Sequence, residues 1–196
     1  MWNWIKKLFG RRSKAGPAPA SASLPSVSTI SSLPAATIRA SYDERRCFTP
    51  NKQPGRITPQ AIVLHHSGGS YLGGVEWIAN PASKVSYHVL IARDGRRTVF
   101  GEDTDRCWHA GVSSWCGRGD LNSWSLGVSW EGDTYDRPLE DAAIESAVEY
   151  IAPRMKKWGI PMTRVLTHQQ VSPGRKNDIS PESATIFKAK LKAALS

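Results

Sequence analysis

The sequence predicts an α/β domain: a central sheet with helices packed on it. Three observations carry that prediction. Short apolar runs of strand length recur over residues 41–196, two longer stretches place apolar residues at helical spacing, and the two kinds of segment interleave along the chain. With 196 residues, 40% of them hydrophobic, the chain can bury one ordinary core and has some length left over.

The elements follow in order. "AIVLHHS" (residues 61–67) is an apolar run that enters a loop of Ser and Gly, and it predicts a buried strand. "VSYHVLIARDG" predicts a strand ending in an Asp94–Gly95 turn, with "RRTVFG" as its hairpin partner. "WSLGVSWEG" predicts another strand. Leu139, Ala143, Ile144, Ala147, Val148, Ile151, Met155 and Trp158 recur at helical spacing, so a helix should start near Pro138 and stop at Gly159. Pro153 should kink or split it. "RVLTH" predicts a strand that runs into a loop, and "SPESATIFKAKLKAAL" a last helix with Ser180 as N-cap and Pro181 at its first position.

The region before residue 41 has a different character. Residues 1–14 hold Lys6, Lys7, Arg11, Arg12 and Lys14 and no acid, more than half of a net charge of +9. Trp2, Trp4, Ile5, Leu8 and Phe9 would share one side of a helix there, the pattern of a basic amphipathic segment lying on an anionic membrane surface or lipopolysaccharide. Residues 15–40 are rich in Ala, Ser and Pro and read as a linker. Charges resume at Arg11 before any apolar signal core develops, so no clear secretory signal is expected. No run of about 18 apolar residues occurs. The basic charge sits in the tail without a base-reading motif, so no nucleic-acid partner is expected. Cys47, Cys107 and Cys116 form no metal-ligand motif and read as free thiols, although the spacing permits a Cys107–Cys116 bridge.

The chemistry gathers at two strand ends. One carries His65 and His66, the other His168. Neighbours in a strand point to opposite faces, so one of His65 and His66 can share a site with His168. With Asp178 in the following loop they would supply two imidazoles and a carboxylate, a three-ligand zinc set with a fourth position open to water. Spacing alone leaves satisfied core or surface histidines as the alternative. Lys176 lies two residues before Asp178, where it would repel a cation but would suit an oxyanion formed beside one. A solvated loop lysine is the plainer reading. Tyr87 could aim a hydroxyl into the same site, and Trp108 and His109 in "CWHAG" could form the lip of a substrate cleft.

Taken together, "AIVLHHSGG", "YHVLIARDG", "CWHAG" and "THQQVSPGRKNDISP" resemble the zinc-dependent N-acetylmuramoyl-L-alanine amidases of the amidase-2 type, phage lysozyme-amidases among them, which are similar to the peptidoglycan recognition proteins. The resemblance covers residues 41–196. It implies a mixed sheet flanked by helices, with His65, His168 and Asp178 as Zn2+ ligands, Lys176 as a catalytic lysine and Tyr87 over the reacting water. Many members carry a Glu where this chain has Ser129, which leaves the general base open among Tyr87, Glu131 and His109. The implied reaction is hydrolysis of the amide between N-acetylmuramic acid and L-alanine of peptidoglycan, in cell wall degradation of the endolysin kind. The alternatives are an amidase of soluble anhydro-muropeptides in wall recycling and a non-catalytic peptidoglycan-binding module. The expected location is the cytoplasm at synthesis, or a membrane surface, with action on the cell wall.

Overall fold

A computed structural model describes residues 42–196. The basic segment 1–14 and the linker 15–40 lie outside the described residues.

The chain runs through β1 (Glu44–Arg46), β2 (Lys52–Gln53), β3 (Ala61–His66), α1 (Tyr71–Ala79), β4 (Val89–Ile91), β5 (Arg97–Val99) and β6 (Arg106–Cys107). It continues through β7 (Ser114–Trp115), β8 (Arg118–Gly119), β9 (Ser125–Trp130), α2 (Asp141–Trp158), β10 (Val165–Thr167), α3 (His168–Val171) and α4 (Pro181–Leu195). Six strands form one sheet in the order β1-β5-β4-β9-β3-β10, and β2 with β6 and β7 with β8 make two small ribbons. β3 pairs in parallel with β9 and β10, β4 pairs in parallel with β9, and β4 with β5 is antiparallel. The sheet is therefore mixed and flanked by helices, as the resemblance implied.

All six residues of β3 and all six of β9 are buried, as befits central strands covered on both faces. One face of the sheet offers Ile62, Leu64, Val128 and Trp130 to Ile144 and Ile151 of α2 and to Phe187 and Leu191 of α4. Trp130 meets Phe187 edge to face, with ring centres 5.4 Å apart. The other face carries Ala61, Val63 and Leu166 under Leu121 and Trp124, and Leu90 under Tyr71 and Ile78 of α1.

The Asp94–Gly95 turn, the β9 strand and the Ser180 cap stand as predicted; Ser180 accepts the Ser183 N–H at 3.1 Å. α2 starts at Asp141, three residues beyond Pro138, and stops at Gly159, whose φ of 63° is left-handed. Pro153 does not split it. The ring lies on the exposed side, while Ala152 and Met155 keep their places in the core. α1 was not foreseen. Its "YLGGVEWIA" holds two glycines, and Gly74 packs so close that a Cβ there would lie 2.8 Å from Leu90 Cδ2. Cys107 and Cys116 are free, one buried in the core and the other exposed. Burial pushes the Cys107 thiol up to about 12.

Candidate metal centre

His65 is the fifth residue of β3, paired with Ser129 of β9, and alternation puts it on the face of Ala61 and Val63. His168 follows β10 as the first residue of α3. Thr167 and Gln170 fix that corner through a capping box, the Thr167 hydroxyl accepting from the Gln170 N–H and the Gln170 side chain from the Thr167 N–H. Asp178 arrives from the loop beyond. The next residue, Ile179, holds a φ of 67°, a conformation that a β-branched residue rarely adopts. That turn sends Ile179 into the core and leaves Asp178 at the site.

The three side chains converge on one point. His65 Nδ1 lies 2.9 Å from His168 Nδ1, and Asp178 Oδ2 lies 2.8 Å from His168 Nδ1 and 3.4 Å from His65 Nδ1. All three residues are buried. The outer nitrogens explain which atoms face inward. His168 Nε2 points at the Ala110 carbonyl at 3.2 Å, and a carbonyl only accepts, so Nε2 carries the hydrogen. In the neutral ring Nδ1 is then a bare lone pair. His109 Nε2 likewise donates to the Ser125 carbonyl at 3.3 Å, so its Nδ1 accepts from His65 Nε2 at 3.0 Å. His65 Nδ1 is thereby also a lone pair. Two lone pairs and a carboxylate oxygen face one another with no hydrogen between them, an arrangement that calls for a cation. The donor set fits a metal ion: two neutral nitrogens, one anionic oxygen, and further polar groups that orient them.

The electrostatics agree. Burial lowers His65 to about 3, helped by His168 and by Lys176, against the pull of Asp178. Burial disfavours a charged Asp178; hydrogen bonds and charge from proton-bearing His168 and His65 would outweigh it and hold the carboxyl well below the usual carboxylate range, and with both Nδ1 atoms bare that role passes to a cation. Burial, with His65 and His88 beside it, keeps His109 neutral too.

The other expected residues divide. Lys176 is half-buried and its charge reaches His65. Tyr87 lies just before β4 rather than in the strand, with its ring 5.2 Å from that of His65. Burial first, and the Asp178 charge second, push its hydroxyl above the usual phenol range. Tyr87 is therefore protonated at neutral pH and able to donate a hydrogen bond. Ser129, fully buried opposite His65, lies near enough to Tyr87 to influence its acidity, yet its hydroxyl makes no hydrogen bond among the described residues.

Two assignments are corrected. Glu131 does share a sheet face with Ser129, but β9 ends at Trp130 and the carboxylate turns to backbone. It accepts the N–H of Tyr71, at the start of α1, and the N–H of Arg93, each at 3.1 Å. Glu131 is a helix-capping group, not the base. His109 is no cleft lip: it is buried against His65 with ring centres 5.1 Å apart. Trp108 beside it is half-buried, its backbone N–H bound to Ser86 Oγ at 2.8 Å.

Three participants escaped the sequence reading. His88 hides in the "SYHVL" run; it accepts the Gly127 N–H at 2.9 Å and donates to the Asp105 carbonyl at 3.0 Å. Gly127 makes room for His109, since a Cβ there would lie 2.5 Å from the His109 ring. Arg175 ties the loop before Lys176 to the segment after His109, with Nη2 on the carbonyls of Ala110 (2.9 Å) and Val112 (2.8 Å). His66, on the opposite face from His65, accepts the Thr134 N–H at 3.1 Å and lies 3.9 Å from Asp178 Oδ1.

Comparison with known proteins matches this architecture to a described group. A family model described as N-acetylmuramoyl-L-alanine amidase (Amidase_2) matches residues 54–181. The chain is 40% identical over 96 residues to the 1,6-anhydro-N-acetylmuramyl-L-alanine amidase AmpD of Haemophilus influenzae, covering 48% of this chain and 52% of that protein. The chain thus spans about half the length of that relative. With AmpD of Citrobacter freundii it is 33% identical over 159 residues, 71% of this chain and 84% of the relative. Among solved structures, a selenomethionine derivative of AmpD superposes with a TM-score of 0.64 at 26% identity, over 76% of this chain and 94% of that one. AmiD from E. coli, solved in complex with the substrate anhydro-N-acetylmuramic acid-L-Ala-D-gamma-Glu-L-Lys, superposes with a TM-score of 0.63 at 20% identity, a likeness of fold that covers 80% of this chain and 60% of that one.

Proposed function

The chain belongs to the Amidase_2 family of N-acetylmuramoyl-L-alanine amidases, and from that premise we propose that it hydrolyses the amide joining the lactyl group of N-acetylmuramic acid to L-alanine, with Zn2+ on His65, His168 and Asp178. The observation that carries this reading is the convergence of two imidazole lone pairs and a carboxylate oxygen beside Lys176. Zinc on such a donor set supplies Lewis acidity, polarising a carbonyl and acidifying water toward a pKa of about 7.

The protein's own residues do the rest. The Lys176 ammonium offers positive charge to the carbonyl oxygen as it becomes an oxyanion. Tyr87 keeps its proton and donates a hydrogen bond at the same place. The leaving amine of L-alanine takes up the proton that the attacking water loses; with Ser129 in place of a carboxylate and Glu131 turned to backbone, we assign the relay of that proton to the Tyr87 hydroxyl, which gives one proton to the amine, recovers the one from water and ends the step protonated. The buried histidines exclude water from the ligand side, so the donors hold one geometry throughout.

The relatives named for 1,6-anhydro substrates favour soluble anhydro-muropeptides as the preferred form. Mass spectrometry of products, with and without a zinc chelator, tests both levels. Stem peptides beginning at L-alanine, lost with chelator, support the amidase reading. Release from soluble muropeptides but not from intact wall selects recycling; release from both selects wall degradation. Cleavage of neither by zinc-loaded protein leaves a binding module and refutes the proposal. We further propose that residues 1–14 hold the enzyme at an anionic membrane or lipopolysaccharide surface. Equal flotation with anionic liposomes of the full chain and of a variant lacking residues 1–14 would end that idea.

A further inference from the structure

We propose that His109 is a positioning residue whose Nδ1 fixes the tautomer of His65 and so decides which nitrogen His65 offers to the metal. The inference rests on the metal reading of the site and deepens it.

A histidine ligand works only when the correct nitrogen is bare. An imidazole is neutral in two forms of nearly equal energy, so something outside the ring must choose between them. For His168 the choice is made by backbone: Ala110 O holds the hydrogen on Nε2. Among the described residues, no carbonyl lies at the outer nitrogen of His65. Its Nε2 faces His109 Nδ1 at 3.0 Å, and two imidazoles alone could share that hydrogen either way. The decision is passed along one link. Ser125 O accepts from His109 Nε2 at 3.3 Å, which empties His109 Nδ1 and lets it accept from His65. The His109 backbone is pinned as well, its N–H bound at 3.0 Å to Asn122 Oδ1, which also takes the Ala110 N–H at 2.8 Å. One short segment, His109–Ala110, therefore orients both ligand imidazoles, the first by its side chain and the second by its carbonyl.

The packing has no other evident reason. A histidine buried to 5% exposure against the sheet costs more than a leucine of similar size unless both nitrogens are used, and both are. Gly127 gives up a side chain on a central strand to admit the ring.

The test reads zinc affinity and tautomer rather than turnover alone. The full chain is titrated with zinc against a chromophoric chelator, as wild type, His109→Phe, His109→Asn and His65→Ala. Phe fills the space without an acceptor, and Asn restores an acceptor near the Nδ1 position. We expect His109→Phe to bind zinc roughly 10–100-fold more weakly, His109→Asn to recover most of that loss, and His65→Ala to show no measurable uptake. Long-range 1H–15N spectra of the chelator-treated wild type supply a readout that needs no variant, and should show His65 with its hydrogen on Nε2. A folded His109→Phe with wild-type affinity, or His65 with its hydrogen on Nδ1, overturns the proposal and leaves the metal reading standing. A wild-type chain that takes up no zinc overturns both.

Discussion

The two faces of β3 and β9 make a direct comparison, since the same two strands build both. One face presents Ile62, Leu64, Leu126, Val128 and Trp130 to α2 and α4, a closely packed apolar cluster with His66 at its end. The other presents Ala61, Val63 and His65 on β3, but Ser125, Gly127 and Ser129 on β9. Two hydroxyls and a glycine replace three large side chains. The space they leave is filled by His109, His65 and Tyr87. Stability is thus concentrated on one side of a sheet one residue thick, and the ligand chemistry on the other. His65 and His66 show the division within a single pair of neighbours: the first points its lone pair at the ligand position, and the second turns to a backbone N–H on the helix side.

Variants break this comparison face by face. The largest effect is expected at the ligands. His168→Ala should abolish zinc uptake and lower turnover by at least about 10^4-fold, out of an acceleration that typically exceeds about 10^6-fold. Metal analysis alongside kinetics checks it, and a zinc-replete His168→Ala protein would refute the ligand assignment. On the opposite face, Phe187→Ala should cost about 3–5 kcal/mol in urea unfolding while the folded fraction keeps its zinc affinity. A matching loss of affinity in fully folded protein would show that the faces are coupled.

Lys176→Ala should keep zinc and lose about 10^2–10^3-fold in turnover. Near-wild-type turnover would remove Lys176 from the reaction. A pH effect should follow from His88, which burial lowers from 6.5 to about 4 while the Asp105 carbonyl pulls it up. The folded form binds its proton less readily than the unfolded form. The stabilisation is therefore fully present above about pH 6.5 and is lost progressively down to about pH 4, roughly 3 kcal/mol in all. Urea midpoints of metal-free wild type and His88→Asn between pH 7.5 and pH 4.5 measure it; equal pH slopes would exclude His88 as the source. The smallest effect belongs to Glu131→Gln. It should lose about 1 kcal/mol of stability, because one of two backbone N–H groups is left without an acceptor, and keep its turnover. A large fall in turnover at unchanged stability would restore Glu131 as a base.

What the sequence made legible was local. "AIVLHHS" reads as a buried strand because its run of apolar residues needs no partner to be noticed, and Ser180–Pro181 marks a helix start by chemistry confined to one turn. The ligand set was reached through spacing and family likeness, and the fold brings its three members together. Legibility failed where the cause lies across the sheet. The place of His109, in a loop, depends on Gly127, eighteen positions on in β9, and no window of sequence joins them. Glu131 was misread because alternation gives the face correctly but not the strand's end, and beyond Trp130 the carboxylate answers to the N–H groups of Tyr71 and Arg93. α1 was missed because Gly73 and Gly74 argue against a helix by propensity, although Ser70 caps it and Leu90 demands the glycine. β1 reads "ERR" and is exposed, so nothing in its hydropathy marked it as a strand.

The separation of His65 from His168, 103 positions along the chain, has a consequence in time. At a synthesis rate of about 5–20 residues per second, on the order of 5–20 s pass on the ribosome between one ligand and the next. Throughout that interval the nascent chain has no place to hold the ion, because β10 must exist and dock on β3 before the second imidazole meets the first. On the proposed reading the enzyme stays inert while it is being made, because its zinc can be held only once β10 lies beside β3.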